Sequence, residues 1–396
     1  KLGMFDPLEM VPFAAIPYEI VDCPAHRRIA LETARASMVL LKNEGSLLPL
    51  DRNAGTVAVI GPNADDVEVL LGNYNGIPVD PVTPVRGIRE KIGASRVHYA
   101  FGCEWAANLP NFETIPSSAL RTTVNGVKTP GLLGEYFDNA ELSGTPKMTR
   151  VDSAVDFVWW DSAPSKEFDP DNFGVRWSGE IVPAVSGRYA VGAYGQTGYR
   201  LYFEDRLLIR YENPHEPRTE YEYVDLVAGK AYPVRLEYYE REGESSAKLV
   251  WSLSGRDYKR EALETAKKAD TVILVMGLSP RLEGEEMKVK VDGFSGGDRI
   301  RIDLPDVQED LIESVAALGK PTVLVLLNGS AVAVNWAARH IPAIVEAWYP
   351  GQAAGTALAD ILFGDYNPAG RLPVTFYTSP DQLPPFNEYA MKGRTY

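Results

Sequence analysis

A three-layer α/β/α sandwich with a mostly parallel sheet, interrupted by an inserted antiparallel β-sandwich, is the fold class this sequence predicts. Three observations carry that reading. Thr56-Val-Ala-Val-Ile60, Thr271-Val-Ile-Leu-Val-Met276 and Pro321-Thr-Val-Leu-Val-Leu-Leu327 are short, unbroken apolar runs, as parallel strands buried on both faces require. Amphipathic stretches of helical period lie around them. Between residues 132 and 251 the texture changes to alternating segments rich in Tyr, Trp and Val, punctuated by Gly and Pro turns, which is the pattern of antiparallel strands.

In chain order, residues 26–43 read as a helix, because Ile29, Ala30, Ala34, Met38 and Leu41 fall near a 3.6-residue period and Asn43-Glu-Gly45 supplies a stop. Gly55 and Gly61-Pro62 bound the first strand. Helices are expected over 64–71 and 85–92, with the turn-rich Gly72-Asn-Tyr-Asn-Gly76 between them and a second strand near 97–101. The all-β texture starts near 125, and Tyr199-Arg-Leu-Tyr-Phe-Glu204 and Tyr232-Pro-Val-Arg-Leu-Glu-Tyr238 typify it. Helix 259–269 then precedes strand 271–276. Helix 306–318, strands 321–327 and 343–348, and helix 353–363 follow. Arg371-Leu-Pro-Val-Thr-Phe376 reads as an edge strand, where a proline is tolerable. Two α/β halves around a β-rich block are most simply one sandwich with a domain inserted in a surface loop, since lengthening such a loop costs little entropy.

The 396 residues allow two or three domains. A net charge of -14 argues against nucleic acid and anionic membranes as partners, because both reward a basic face. Cys23 and Cys103 are too few for a disulfide framework, though not for a single bridge. His26, His98, His215 and His340 are scattered without ligand spacing, so no metal site is expected. Gly61-Pro-Asn63 lacks both phosphate-loop patterns and reads as a plain strand-to-helix turn.

The chemistry is expected in Leu282-Glu-Gly-Glu-Glu-Met287, which follows the apolar strand 271–276 and precedes Gly297-Asp-Arg299. Loops at the carboxyl ends of parallel strands are where α/β folds place their sites. Clustered carboxylates repel one another, so one can keep its proton near neutrality and serve as a general acid. On charge pattern alone, a solvated acidic loop is the better account.

Several segments, weak singly and specific in this order, shift that balance. They include Leu2-Gly-Met-Phe-Asp6, Val39-Leu-Leu-Lys-Asn43, Leu47-Leu-Pro-Leu50, Val59-Ile-Gly-Pro-Asn-Ala64, Gly72-Asn-Tyr-Asn-Gly76, Trp348-Tyr-Pro-Gly-Gln352, Ala359-Asp-Ile-Leu-Phe-Gly-Asp365 and Pro368-Ala-Gly-Arg-Leu-Pro373. Through them the chain resembles glycoside hydrolase family three, the retaining β-glucosidases and β-xylosidases. Through Gly131-Leu-Leu-Gly-Glu-Tyr-Phe137 and Val175-Arg-Trp-Ser-Gly179, the block at 125–254 resembles the protective-antigen type of β-sandwich.

The resemblance implies a linker at 1–25 from a (β/α)8 barrel that this chain does not contain. It implies sandwich halves at 26–124 and 255–377, and a linker at 378–396 towards a fibronectin-like domain. It implies hydrolysis of terminal β-linked xylose or glucose from oligosaccharides or aryl glycosides, with no cofactor. The barrel would supply the nucleophile, so the chain alone is expected to be inactive. Xylose is slightly preferred, export is expected, and homo-oligomerisation is left open. The family pattern maps the acid/base onto Glu285, with Glu283 second and Glu286 third, and Asp298-Arg299 as an ion pair or anchor for the loop. In an extended loop, Glu283 and Glu285 would share one side and tune each other.

Tyr74, Asn73 and the 348–352 segment could line a cleft, but structural turns and packing explain them as well. In the insert, Trp159, Trp160, Trp177 and Tyr199 could stack on sugars, although such residues are more often core. The turn expected at Gln196-Thr-Gly198 lacks the aspartate pair of calcium-dependent lectin relatives. The insert is expected to roof the active-site pocket. The rival reading from another class is a non-catalytic carbohydrate-binding or adhesion module.

Overall fold

Strands buried on both faces need helices on both faces, and the chain supplies them. The computed structural model describes all residues except Lys1, Leu2, Met4, Ala54, Ile77, Glu286, Lys288 and 393–396, and omits the side chains of 213–217. The chain divides into two compact units, one of Lys1–Leu109 with Asp257–Tyr396 and one of Pro110–Arg256.

In the first unit, β1 (Val39–Asn43), β2 (Val57–Ile60), β3 (Val97–Ala100), β4 (Thr271–Gly277), β5 (Thr322–Leu327) and β6 (Ala343–Glu346) form one sheet, in the order β1-β6-β5-β4-β2-β3. All neighbours are parallel except β1, which runs antiparallel to β6. The period-2 alternation divides each strand between two cores. Val57, Val59, Ile273, Val275, Val323 and Val325 pack with α1 (Pro24–Ser37), α3 (Pro84–Ile92) and α7 (Ala354–Leu362). Ala58, Ile60, Leu274, Met276, Leu324 and Leu326 pack with α4 (Tyr258–Lys267), α5 (Asp306–Ala316) and α6 (Asn335–His340). The result is the expected three-layer sandwich.

The first helical layer is tied by charge as well as by apolar contact. Asp360 of α7 is buried and accepts from Arg35 Nε of α1 at 2.8 Å and from Lys91 of α3. A short α2 (Val67–Leu71) is capped by Asp66, whose carboxylate accepts from the amides of Glu68 and Val69.

In this unit two expectations fail. The helix read over 26–43 stops at Ser37, and Val39–Asn43 is strand β1. Leu41 keeps the helical period, but Met38 turns to extended backbone and pairing with β6 claims the residues that follow. Residues 371–376 form no strand. Pro373 offers no ladder donor, and just before the segment the Gly370 N–H donates to the Met38 carbonyl, beside the start of β1, at 3.1 Å. Cys23 and Cys103 are both free thiols.

The second unit holds an antiparallel sheet that, among the described residues, has eleven strands and curls around its own core. Its first strands, Glu113–Thr114 and Leu120–Val124, precede the change of texture seen at 125. Trp177, Tyr136, Tyr199, Tyr238 and Phe173 are among its largest buried side chains. Trp159 stacks parallel to Trp177 with centroids 6.4 Å apart, whereas Trp160 is exposed. Residues 196–198 are not a turn; they lie within the long strand Gly187–Phe203, at a bulge.

One buried carboxylate organises this core. Asp152 accepts from the Tyr136 hydroxyl at 2.6 Å, from the Trp177 indole at 2.7 Å and from Arg150 Nε at 2.7 Å. Asp152→Ala strands two buried donors and is expected to destabilise this unit by roughly 2–4 kcal/mol in denaturant unfolding. An unchanged midpoint would show that the trio is dispensable.

Candidate active site

The site begins where β4 leaves the sheet. Chain connections run from β2 towards β3 on one side and from β4 towards β5 on the other, so the β2/β4 boundary is a topological switch point. Loops leaving the carboxyl ends of strands at such a point diverge and open a crevice.

Two buried amides fix the start of the loop. Gln308 of α5 is fully buried; its Oε1 accepts from the Gly277 N–H at 2.9 Å, and its Nε2 donates to the Gly277 carbonyl at 2.8 Å and the Trp105 carbonyl at 2.9 Å. Asn63, after β2, donates from Nδ2 to the Leu278 carbonyl at 3.0 Å and accepts from the Trp105 indole at 2.8 Å. Burying amides is favourable only when they are paired, and these are.

From there the chain turns tightly. The amides of Leu282 and Glu283 both donate to the Ser279 carbonyl, at 2.9 and 3.1 Å. Arg281 lies over the Trp105 ring at 4.6 Å and pairs with Asp66 at 2.5 Å and Glu68 at 2.7 Å. The Gly284 N–H donates to the Gly297 carbonyl at 3.2 Å. Gly297 has φ +89°, and a Cβ there would sit 2.0 Å from the Gly284 carbonyl oxygen, so only glycine permits the loop to fold back.

The two carboxylates take different partners. Glu283 is half-buried; its Oε1 accepts from the Ser330 hydroxyl at 2.7 Å, and Ser330 Oγ in turn accepts from Arg299 Nη1 at 3.0 Å. Arg299 also donates to the Ala331 carbonyl and, at 3.5 Å, to the Asp303 carbonyl. Burial pulls the Arg299 guanidinium below its ordinary pKa, against the opposing charge of Glu283. Asn73 Nδ2 donates to the Glu283 carbonyl at 3.0 Å. Glu285 is exposed and its Oε2 accepts from the Tyr74 hydroxyl, a bond that raises the phenol's pKa. Tyr74 has φ +56°, an uncommon backbone for tyrosine that costs on the order of 1–3 kcal/mol.

The loop is therefore turned, not extended, and Glu283 and Glu285 do not share partners. Arg299 anchors the loop through Ser330, while the Asp298 side chain is exposed. Glu286 lies outside the described residues. Ser330 escaped sequence reasoning altogether, and Tyr74 and Asn73 read as turn residues. The Asn-Tyr pair between two glycines was the available signal. Trp348 packs: its indole donates to the Ser37 carbonyl at 3.0 Å and its ring meets Phe376 edge-on. Among the described residues, no group of three or more His, Cys, Asp or Glu could hold a metal ion, and no helix is long and apolar enough to cross a membrane.

Comparison with known proteins adds to this geometry. A family model described as the glycosyl hydrolase family 3 C-terminal domain matches residues 38–396. A xylan 1,4-beta-xylosidase of Xylanibacter ruminicola is 35% identical over 406 residues, covering 100% of this chain and 45% of the relative. A beta-glucosidase of Rhizobium radiobacter is 31% identical over 384 residues, covering 90% of this chain and 42% of that protein. This chain thus spans less than half the length of either. Among solved structures, a beta-glucosidase of Kluyveromyces marxianus superposes with a TM-score of 0.67 at 25% identity, covering 95% of this chain and 46% of that one.

Ser330→Ala should release Glu283 and loosen the turn. The amides of Glu283 and Gly284 are expected to exchange with deuterium at least about tenfold faster while those of β4 and β5 stay protected, a local opening worth about 1.4 kcal/mol. Unchanged protection in the loop would remove Ser330 from its support.

Proposed function

The chain belongs to glycosyl hydrolase family 3, and from that membership we propose that it lends the general acid/base, Glu285, to a retaining exo-acting β-glycosidase. The observation that carries the assignment is the different setting of the two carboxylates. Glu283 is half-buried beside Arg299 and held by Ser330, a setting that fixes its side chain in place. Glu285 is exposed, on a loop whose two ends are pinned, with a phenol steadying one oxygen. A group that must reach a glycosidic oxygen and exchange a proton with it needs that combination. Glu283 acts here as a positioning residue.

In the first step Glu285 gives its proton to the leaving oxygen as the C1–O bond breaks. A carboxylate from a separate domain bonds to C1, roughly 5–5.5 Å from Glu285 across the scissile bond. In the second step Glu285 takes a proton from water, whose oxygen attacks C1 and displaces that carboxylate. This chain offers only the proton-transfer partner, so purified residues 1–396 should not turn over aryl β-glycosides. For the sugar, terminal β-linked xylose is the proposed substrate, supported by the relative named xylan 1,4-beta-xylosidase.

In the enzyme assembled with its nucleophile domain, Glu285→Gln should lower kcat/KM for a phenyl β-xyloside by about 10²–10⁴-fold. The loss should be far smaller for a dinitrophenyl β-xyloside, whose leaving group needs no proton. Equal losses on both substrates, or none, would contradict the assignment. Wild-type kcat/KM should favour the xyloside over the matching glucoside; the reverse order would refute the sugar while leaving Glu285 in place.

A further inference from the structure

A second carboxyl, which plays no part in the proposed chemistry, is buried beneath the acid loop. Glu346, the last residue of β6, has no exposed surface. Its Oε1 accepts from the Trp348 N–H at 3.0 Å, and its Oε2 accepts from Asn328 Nδ2 at 3.1 Å. Each contact braces a loop leaving a strand end. Trp348 has φ +61°, a left-handed conformation that a large side chain rarely adopts without support. Asn328 follows β5, and its Nδ2 also donates to the Ser330 carbonyl at 2.9 Å. Ser330 is the residue whose hydroxyl holds Glu283. Tyr349 packs against the same loop: a Cβ on Gly329 would lie 2.9 Å from its ring.

We propose that Glu346 is a positioning residue for proton transfer, acting through Asn328 and Ser330 to hold the Glu283 end of the loop that presents Glu285. The proposal rests on the reading of Glu285 as the acid/base. It assigns work to a residue that touches neither substrate nor Glu285.

Charge matters to this role. Burial pushes the Glu346 carboxyl up to about 8 from an ordinary 4.5, with the Trp348 and Asn328 donors pulling the other way. The titratable groups around it are the Tyr349 phenol, which its charge raises further, and beyond that Glu283 and Arg299, both of which act on Tyr349. The strands beside it, β1 and β5, place Val39 and Leu326 opposite, so neither offers a counter-charge at that register. Both oxygens accept, so a glutamine, whose Nε2 only donates, keeps one of the two contacts while removing the titration. The sign follows from linkage. The folded pKa is raised, so the stability held by this proton is complete below about 4.5 and is lost as pH rises through about 8.

The test compares Glu346→Gln, Glu346→Ala and Asn328→Ala in the assembled enzyme, with Glu285→Gln alongside. Glu346→Ala and Asn328→Ala should lower kcat/KM roughly tenfold or more on phenyl β-xyloside and less than about threefold on dinitrophenyl β-xyloside, a fraction of the general-acid contribution. Glu346→Gln, which keeps one of the two acceptors, should lose less than Glu346→Ala on phenyl β-xyloside, and the difference between its melting temperature and that of wild type should grow in its favour as pH rises from 5 to 8. If Glu346→Ala fails to fold, Asn328→Ala alone decides the question. Equal losses on both substrates, while Glu285→Gln discriminates between them, would overturn the role of Glu346 and leave Glu285 standing. Absence of discrimination in Glu285→Gln would overturn both.

Discussion

The end of β4 is the fixed point to which the rest of the site refers. Gln308 satisfies both backbone groups of Gly277, Asn63 satisfies the carbonyl of Leu278, and Trp105 is held by both amides. Each of these buried groups would cost about 1–3 kcal/mol if left unpaired, so the strand end has one low-energy arrangement. A displacement of only about 1 Å in a catalytic group can cost about a hundredfold in rate, which is why rigidity here matters to a loop several residues away. Interior amides do this better than charges would, because they need no counter-ion in an apolar layer.

Beyond that point, the loop has a supported side and an open side. Arg299, Ser330 and Asn73 converge on Glu283 and its carbonyl, and the close Gly284–Gly297 contact folds the chain back. Glu285 is exposed and, among the described residues, its side chain is bonded by Tyr74. On the proposed assignment, the arrangement separates two tasks that a single carboxylate could not combine, fixing the backbone and exchanging a proton. It also accounts for the strained backbone at Tyr74, since the left-handed turn presents the phenol to Glu285.

The layers of the fold were legible because continuous apolar strands admit few arrangements other than a doubly covered sheet. The errors came where tertiary pairing overrode a local pattern. Leu41 kept a helical period, yet its segment became the β1 edge; Pro373 sat in an alternating run but brings no N–H to a ladder. The acid loop was legible from its charge and its place after a strand. Its supports were not. Tyr74 and Glu285 lie 211 residues apart, Ser330 and Glu283 lie 47 apart, and no periodicity links a serine after β5 to a loop after β4. Glu346 was hidden for a different reason: a single acid ending an apolar strand looks like a surface terminus until its burial is known.

The central claim, that Glu285 exchanges the proton while a carboxylate from another domain holds the sugar, has a direct chemical signature. In Glu285→Ala of the assembled enzyme, sodium azide should accelerate turnover of dinitrophenyl β-xyloside and yield β-xylosyl azide. That anomer forms because azide enters from the β-face, the space vacated by the missing base, and displaces the carboxylate that holds the sugar covalently on its α-face. No acceleration, or an α-configured azide, would contradict the account.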